Sequence, residues 1–284
     1  MNDYGNLFCR SENNDIAYTH SGTFHADDVS CAALLKYTFP SIQIKRVPPD
    51  AELAFDIGGG KYDHHKEFPK TRENGVVYSS FGLLWQDIGP LVIPERYLSE
   101  FDFSFVSKVD YADTTGKANQ LSFTIRAMNP AWDSDKSSDE CFDEAVAFVT
   151  SILKIHFEKY ISRERGYDKV RALVNDNLHG DHTLLLPKYI PYTYGIDKSK
   201  IYYVVYPTDR VCGGDGWSIH LTNLTRDYNK LWFQRFPLEW EQIATPPGTV
   251  YFKPDSHIVL KSKPDMLYAV KYLENKCKEK GGIL

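Results

Sequence analysis

The chain has 284 residues, 42% of them hydrophobic and 25% charged, with a formal net charge of −5. That balance excludes a disordered chain and a general nucleic-acid coat, but not a nuclease whose contacts are confined to one cleft. Cys9, Cys31, Cys141, Cys212 and Cys277 are odd in number and scattered, which argues against a disulfide framework or a zinc–thiolate site.

Ile16 to Thr19 reads as a strand, followed by the polar loop His20-Ser-Gly-Thr-Phe-His25-Ala-Asp27-Asp28. Val29 to Tyr37 then follows helical spacing, with Asp27 or Asp28 as its N-cap or first-turn acid. Pro40 ends that helix, Ile42, Ile44 and Val47 alternate as a second strand, and Leu53 to Asp56 forms a third. Strands separated by helices predict a parallel sheet whose ligand crevice lies at the carboxyl ends of its strands. His20, His25, Asp27 and Asp56 then share one rim. The glycines Gly58 to Gly60 let the chain turn sharply and bring Asp63, His64 and His65 round to Asp56.

Further helices are predicted over Val76–Ile88, from Pro94 through Asp110 to Asp113, over Leu121–Met128, over Asp139–Tyr160 and over Tyr167–Leu178. After His179 the pattern changes to short strands, at 183–186, 201–206, 217–221, 250–252 and 258–260, and a closing helix over Met266–Lys278. The reading is an α/β catalytic domain over 1–180 and a smaller α+β substrate-binding domain over 181–284. Met1 to Asp15 is polar and no apolar run approaches a membrane span, so a cytoplasmic protein without membrane contact is expected.

Carboxylates and imidazoles converging on one rim suit a hard or borderline divalent cation. The expected site holds two ions, one on His20, His25 and Asp56, the other on Asp27, His64 and Asp110, with Asp56 bridging. Mixed imidazole and carboxylate ligands favour Mn²⁺, with Zn²⁺, Co²⁺ and Mg²⁺ as alternatives. Asp113 reads as a partner of Asp110 or a plain helix-end residue, and Asp28 as a helix-start acid. No Gly-x-Ser-x-Gly elbow supplies a serine nucleophile, and no helix follows the triple glycine as a dinucleotide fingerprint requires. A hairpin turn accounts for Gly213 to Gly216.

The opening motif from His20 to Asp28, Asp56-Ile-Gly-Gly, Tyr62-Asp63-His64-His65, Val109-Asp110-Tyr-Ala-Asp113 and Thr124-Ile-Arg126-Ala-Met-Asn129-Pro130-Ala-Trp132 resemble the melanocyte-proliferating-gene-one family, which groups with the Asp-His-His (DHH) phosphoesterases. The resemblance implies a two-domain, metal-dependent phosphodiesterase, with 3′–5′ exonuclease action on RNA or short oligonucleotides. It implies that His20, His25, Asp27, Asp56, His64 and Asp110 hold metal and that His65 faces the substrate phosphate. Arg126, Lys188, Arg210 and Arg235 are the candidate phosphate contacts. Two departures stand out: Asp113 is followed by Thr-Thr-Gly in place of the family's Asn-Gly, and Lys253, His257, Val259 and Leu260 occupy the region of its C-terminal His and Gly-Gly pair. The rival readings are a small-nucleotide phosphatase or pyrophosphatase, and a non-catalytic, metal-stabilised binding protein. Oligomeric state stays open, a homodimer included.

Overall fold

A computed structural model describes residues 9–11, 14–48, 55–176, 182–196, 201–222 and 236–279. The chain divides into two compact units, 1–161 and 162–284. The division falls inside one long helix and earlier than the change of sequence pattern near 180.

In the first unit β1 (Cys9–Ser11) pairs antiparallel with β2 (Asn14–His20), which pairs parallel with β3 (Gln43–Val47). Between β2 and β3 runs α1 (Ala26–Thr38). Its ten residues from Ala26 to Leu35 are all buried, so α1 is a central helix. Asp28 sits at its third position, where Oδ1 accepts from the His25 backbone N–H at 2.9 Å, closing the first turn. The residues 21–25 therefore leave the carboxyl end of a parallel strand and enter a capped helix, the place where α/β sheets present ligand sites.

Of the expected third strand, Leu53 and Ala54 lie outside the described residues. β4 (Phe55–Asp56) pairs parallel with β5 (Tyr62–Asp63) in a separate two-stranded sheet. Residues 70–78 form a small hairpin, with Thr71 bridged to Val77 and Gly75 at positive φ in the turn, so α2 starts at Ser80 and not at Val76. α2 (Ser80–Val92) packs beside α1. A 3₁₀ turn at Glu95–Tyr97, α3 (Leu98–Phe101), a π-helical turn at Asp102–Val106 and α4 (Ser107–Thr115) form one continuous run, followed by α5 (Gln120–Ala127). Phe24, Phe55, Phe81, Trp85, Phe101 and Phe157 fill the core around α1. At roughly 1.5–3 kcal/mol for each fully buried large apolar side chain, this cluster is the main support of the site loops.

The two helices expected at 139–160 and 167–178 are one, α6 (Ser138–Asp176). Gly166 lies within it because a Cβ there would press on Ile190 and Pro191, so close packing and not a break explains the glycine. In the second unit β6 (Thr183–Leu185), β7 (Tyr203–Thr208), β8 (Gly216–Leu221), β9 (Thr249–Lys253) and β10 (His257–Leu260) form a sheet in the order β6-β7-β8-β10-β9. Only β6 and β7 pair in parallel; the other neighbours are antiparallel. After the short α7 (Leu238–Gln242), α8 (Lys263–Glu279) covers one face through Met266, Ala269, Leu273 and Cys277. The architecture is mixed α/β, as the sequence pattern predicts. Among the described residues no helix is long and apolar enough to cross a membrane.

Candidate metal centre

Asp56 ends β4 with φ at 81°, the one non-glycine residue with positive φ among those described. Such a conformation costs on the order of 1–3 kcal/mol and persists where surrounding structure enforces it. Here the enforcement comes from Asp63, paired with Asp56 across the two strands. The Asp63 carboxylate accepts from Gly59 N–H at 2.6 Å and from His65 N–H at 2.7 Å. Burial raises its pKa, but these hydrogen bonds outweigh that and hold the carboxyl below its ordinary value. Asp63 is thus the clasp of the glycine loop, and its oxygens are engaged.

Three groups of ligand atoms result, each lying within 4.8 Å: Asp56 with His64 and His65, His20 with Asp28 and Asp56, and His25 with Asp27 and Asp113. Asp56 belongs to two of them. Buried His20 places Nε2 at 2.8 Å from Asp56 and 3.1 Å from Asp28, while its Nδ1 meets the Ser21 carbonyl at 3.0 Å. The backbone bond orients the ring with Nε2 toward the carboxylates. Hydrogen bonding to Asp28, then to Asp56, holds this imidazole up at about 10. His64 links the groups, with Nε2 at 3.1 Å from Asp113 and Nδ1 at 3.7 Å from Asp27 and 3.8 Å from Asp56. Burial lowers its pKa, yet the adjoining carboxylates, Asp113 foremost, leave it raised.

Asp27 carries the electrostatic strain. It is fully buried, and neither carboxylate oxygen has a hydrogen-bond donor. Burial first, then the charges of Asp56, Asp113 and Asp28, push its pKa well above the carboxylate range. An isolated carboxylate in such a place costs several kcal/mol unless it is paired or coordinates a cation. An unpartnered carboxylate with further oxygen and nitrogen donors around it fits hard and borderline divalent ions.

Two residues given minor roles by the sequence, Asp28 and Asp113, are brought into the cluster. Asp110 is not. Its buried carboxylate lies 2.7 Å from Arg72 Nη1 and accepts from Ser79 Oγ at 2.5 Å and Gly82 N–H at 3.0 Å. It closes the N-terminus of α2, and a Cβ at position 82 would collide with it. His64 and His65 do not point apart, as adjacent residues on an extended strand would: their ring centroids are 4.0 Å apart. His65 is nevertheless the open one, its side chain 56% exposed, with Nδ1 at 3.2 Å from Asp63.

A cavity of about 570 Å³ opens on this cluster, walled by His25, His64, His65, Asp113, Ser122 and Arg126. The candidate phosphate contact Arg126 is therefore at the site's cavity. Lys188 and Arg210 are exposed residues of the second unit, and Arg235 lies outside the described residues. Two arginines escaped the sequence reading. Arg46 donates to the carbonyls of His20, at 3.2 Å, and Gly22, at 2.5 Å, and to Asp139, at 2.8 Å, which fixes the loop that carries His20. Arg72 holds Asp102 in a two-pronged bond at 2.7 and 2.8 Å besides Asp110. In sequence each sits among polar turn or strand residues and carries no distinguishing signal.

This arrangement of an Asp56 loop, an Asp-His-His turn and the helix-start acids extends over the region matched by a family model. Residues 16–240 match MYG1_exonuc, described as Uncharacterised protein family (UPF0160). The chain belongs to the MYG1 family. It is 29% identical over 175 residues to the MYG1 protein C694.04c of Schizosaccharomyces pombe, covering 45% of this chain and 53% of that one. It is 27% identical over 210 residues to the MYG1 exonuclease of Rattus norvegicus, covering 56% and 53%. The human MYG1 exonuclease is 25% identical over 206 residues, covering 56% and 54%. The chain thus spans about half the length of the curated MYG1 relatives it matches. A solved structure, the pGpG-specific phosphodiesterase PggH from Vibrio cholrae, aligns with 94% of this chain and 99% of its own at 13% identity and a TM-score of 0.31, a likeness from which nothing is drawn.

Proposed function

We propose that this MYG1-family chain is a metal-dependent phosphoester hydrolase that cuts RNA or short oligonucleotides from an end, with two divalent ions, Mn²⁺ by preference, at the His/Asp cluster. The observation that carries the reading is Asp27, buried with both oxygens unsatisfied among three other carboxylates and four histidines. His20, Asp28 and Asp56 would hold one ion and His25, Asp27, His64 and Asp113 the other, with Asp56 between them and Asp113 in the place first given to Asp110. Divalent ions bound there would polarise a phosphoryl oxygen and acidify the attacking water. The chain's own residues do the rest. Asp56 presents its two oxygens to both sides of the cluster, and Arg46 keeps the His20 loop from shifting. His65, exposed beside the cavity and oriented by Asp63, donates a hydrogen bond from its ring to a phosphate oxygen. Arg126 at the cavity wall offsets substrate charge with a guanidinium suited to phosphate. The second unit, with exposed Lys188 and Arg210, is read as the substrate-binding part, and the whole as a relative of the DHH phosphoesterases. A cytoplasmic location belongs to the same reading.

The test is metal content together with a substrate panel. Two ions per chain, and Mn²⁺-dependent release of mononucleotides from a labelled oligonucleotide, are expected. One tightly held zinc, or turnover of pyrophosphate and nucleotides without any oligonucleotide cleavage, would replace the reading with a mononuclear hydrolase or a small-nucleotide phosphatase. No turnover under any divalent ion would leave a metal-stabilised binding protein.

A further inference from the structure

Beside the metal centre lies a second cavity of about 370 Å³, within the ~300–1,000 Å³ usual for small-ligand sites. His64 and Pro69 belong to the walls of both cavities. The second one is lined by Lys61, Lys66 and Lys70, in a chain whose net charge is −5. The acids beside these lysines are already engaged. Asp87 meets Lys61 at 2.6 Å and accepts from Tyr62 Oη at 2.6 Å, and Asp63 is committed to the backbone of Gly59 and His65. Lys70 donates only to the neutral amide of Gln86, at 2.6 Å. No carboxylate among the described residues lies within ion-pairing distance of Lys66 or Lys70. Asp87 feels the charge of Lys70 without touching it, so two lysines with no direct carboxylate partner face a cavity that shares a wall with the cluster.

The aromatic groups there differ in availability. Tyr78 has Lys70 at 5.5 Å and Arg72 at 3.8 Å from its ring centre. Phe68, on the same wall, is 86% exposed. An exposed ring with ammonium groups beside it matches a nucleotide, whose base stacks and whose phosphate is anionic.

We propose that this cavity binds the nucleotide next to the scissile phosphodiester in a single-stranded oligonucleotide, its phosphate on Lys66 and Lys70 and its base against Phe68. The inference rests on the phosphodiesterase reading of the adjoining cluster and sharpens it. A strand passing His64 and Pro69 fills both cavities, whereas a mononucleotide fills one. RNA and DNA share the recognising chemistry.

Binding and turnover separate the two ideas. Affinity for a fluorescein-labelled tetranucleotide, as RNA and as DNA, and for a labelled mononucleotide is measured by anisotropy with Ca²⁺ in place of Mn²⁺; cleavage is followed in parallel with Mn²⁺. The wild-type protein should hold the tetranucleotide at least tenfold tighter than the mononucleotide. The double variant Lys66→Ala/Lys70→Ala should lose most of that preference, and Phe68→Ala part of it. The salt dependence should become shallower by about 0.7 in log–log slope, the change expected when one single-strand phosphate is no longer neutralised. Lys159→Ala, on the exposed side of α6, serves as the control and should match wild type. A tetranucleotide preference that survives the double variant, or is absent from wild type, overturns the proposal. Lysine-dependent binding without cleavage under any metal upholds this cavity and sinks the hydrolase reading; cleavage without lysine dependence does the reverse.

Discussion

Substituting Asp110 decides between a ligand and a structural acid. Asp110→Ala removes the carboxylate 2.7 Å from Arg72, whose side chain is 7% exposed, and strips the acceptor from Ser79 and Gly82 at the start of α2. Breaking a buried ion pair costs about 3–5 kcal/mol, because the remaining charge is stranded. Arg72 keeps its two-pronged bond to Asp102, which places this case at the lower end, about 3 kcal/mol. Loss of the helix-end acceptor adds about 1 kcal/mol. The sum, ~4 kcal/mol, corresponds to a drop of about 8–16 °C in Tm for a domain of this size. Urea unfolding in chelator reads the stability, and metal analysis of the folded fraction at low temperature reads the ions. Expected is a large loss of stability with the full metal complement retained. Near-wild-type stability in chelator together with loss of one ion would show that Asp110 is a ligand after all, and the assignment to Asp113 would fall.

Asp113→Ala should give the opposite pattern, losing an ion and turnover while unfolding in chelator at or above the wild-type denaturant concentration; retention of both ions would remove it from the site. Asp56→Asn keeps a residue type that tolerates positive φ and can still accept from His20 but cannot bridge with two anionic oxygens, so activity should fall to background while the protein still folds in chelator. Substantial activity in that variant would end the bridging role. His64→Ala should lose metal, whereas His65→Ala should keep it and lose turnover; equal metal loss in the two would make both histidines ligands. Chelation should destabilise the wild-type protein, and Mn²⁺ at a hundred times its Kd should return about 2.7 kcal/mol, visible as a Tm that rises with metal concentration. A Tm indifferent to metal would speak against ions relieving the Asp27 charge.

Much of the first unit was legible because hydrophobic period and turn chemistry agree there. The strand before His20, the helix at 26–38 and the strand at 43–47 follow from local pattern, which sets His20, His25 and Asp27 at one loop; Asp56 comes to His20 from β4, in a two-stranded sheet of its own. Helix phase was not legible. Asp110 and Asp113 lie three residues apart on α4, and the π turn at 102–106 resets which side α4 presents. Nothing in the spacing Val-Asp-Tyr-Ala-Asp says which acid turns toward His64. Burial by neighbours was equally hidden: α1 is enclosed on every side, which no single-helix pattern distinguishes from an amphipathic helix. Arg46 and Arg72 act through partners distant in sequence, so only the folded chain reveals them. The continuity of α6 through Gly166 was hidden too, because the packing partners of that glycine, Ile190 and Pro191, lie far along the chain.

Asp28 gives one side of its carboxylate to the first turn of α1 and turns the other toward His20. In genetic terms this merges two kinds of lesion. A missense change at position 28 would weaken the start of the central helix and disturb the ion cluster together, so low abundance and low specific activity would travel as one phenotype. Restoring expression with a stabilising second-site change would not restore catalysis. Changes at Asp113, whose carboxylate meets His64 and closes no helix, would leave abundance intact. Alleles at the two positions, though both touch the same chemistry, would therefore segregate into different classes in any screen that scores protein level alongside function.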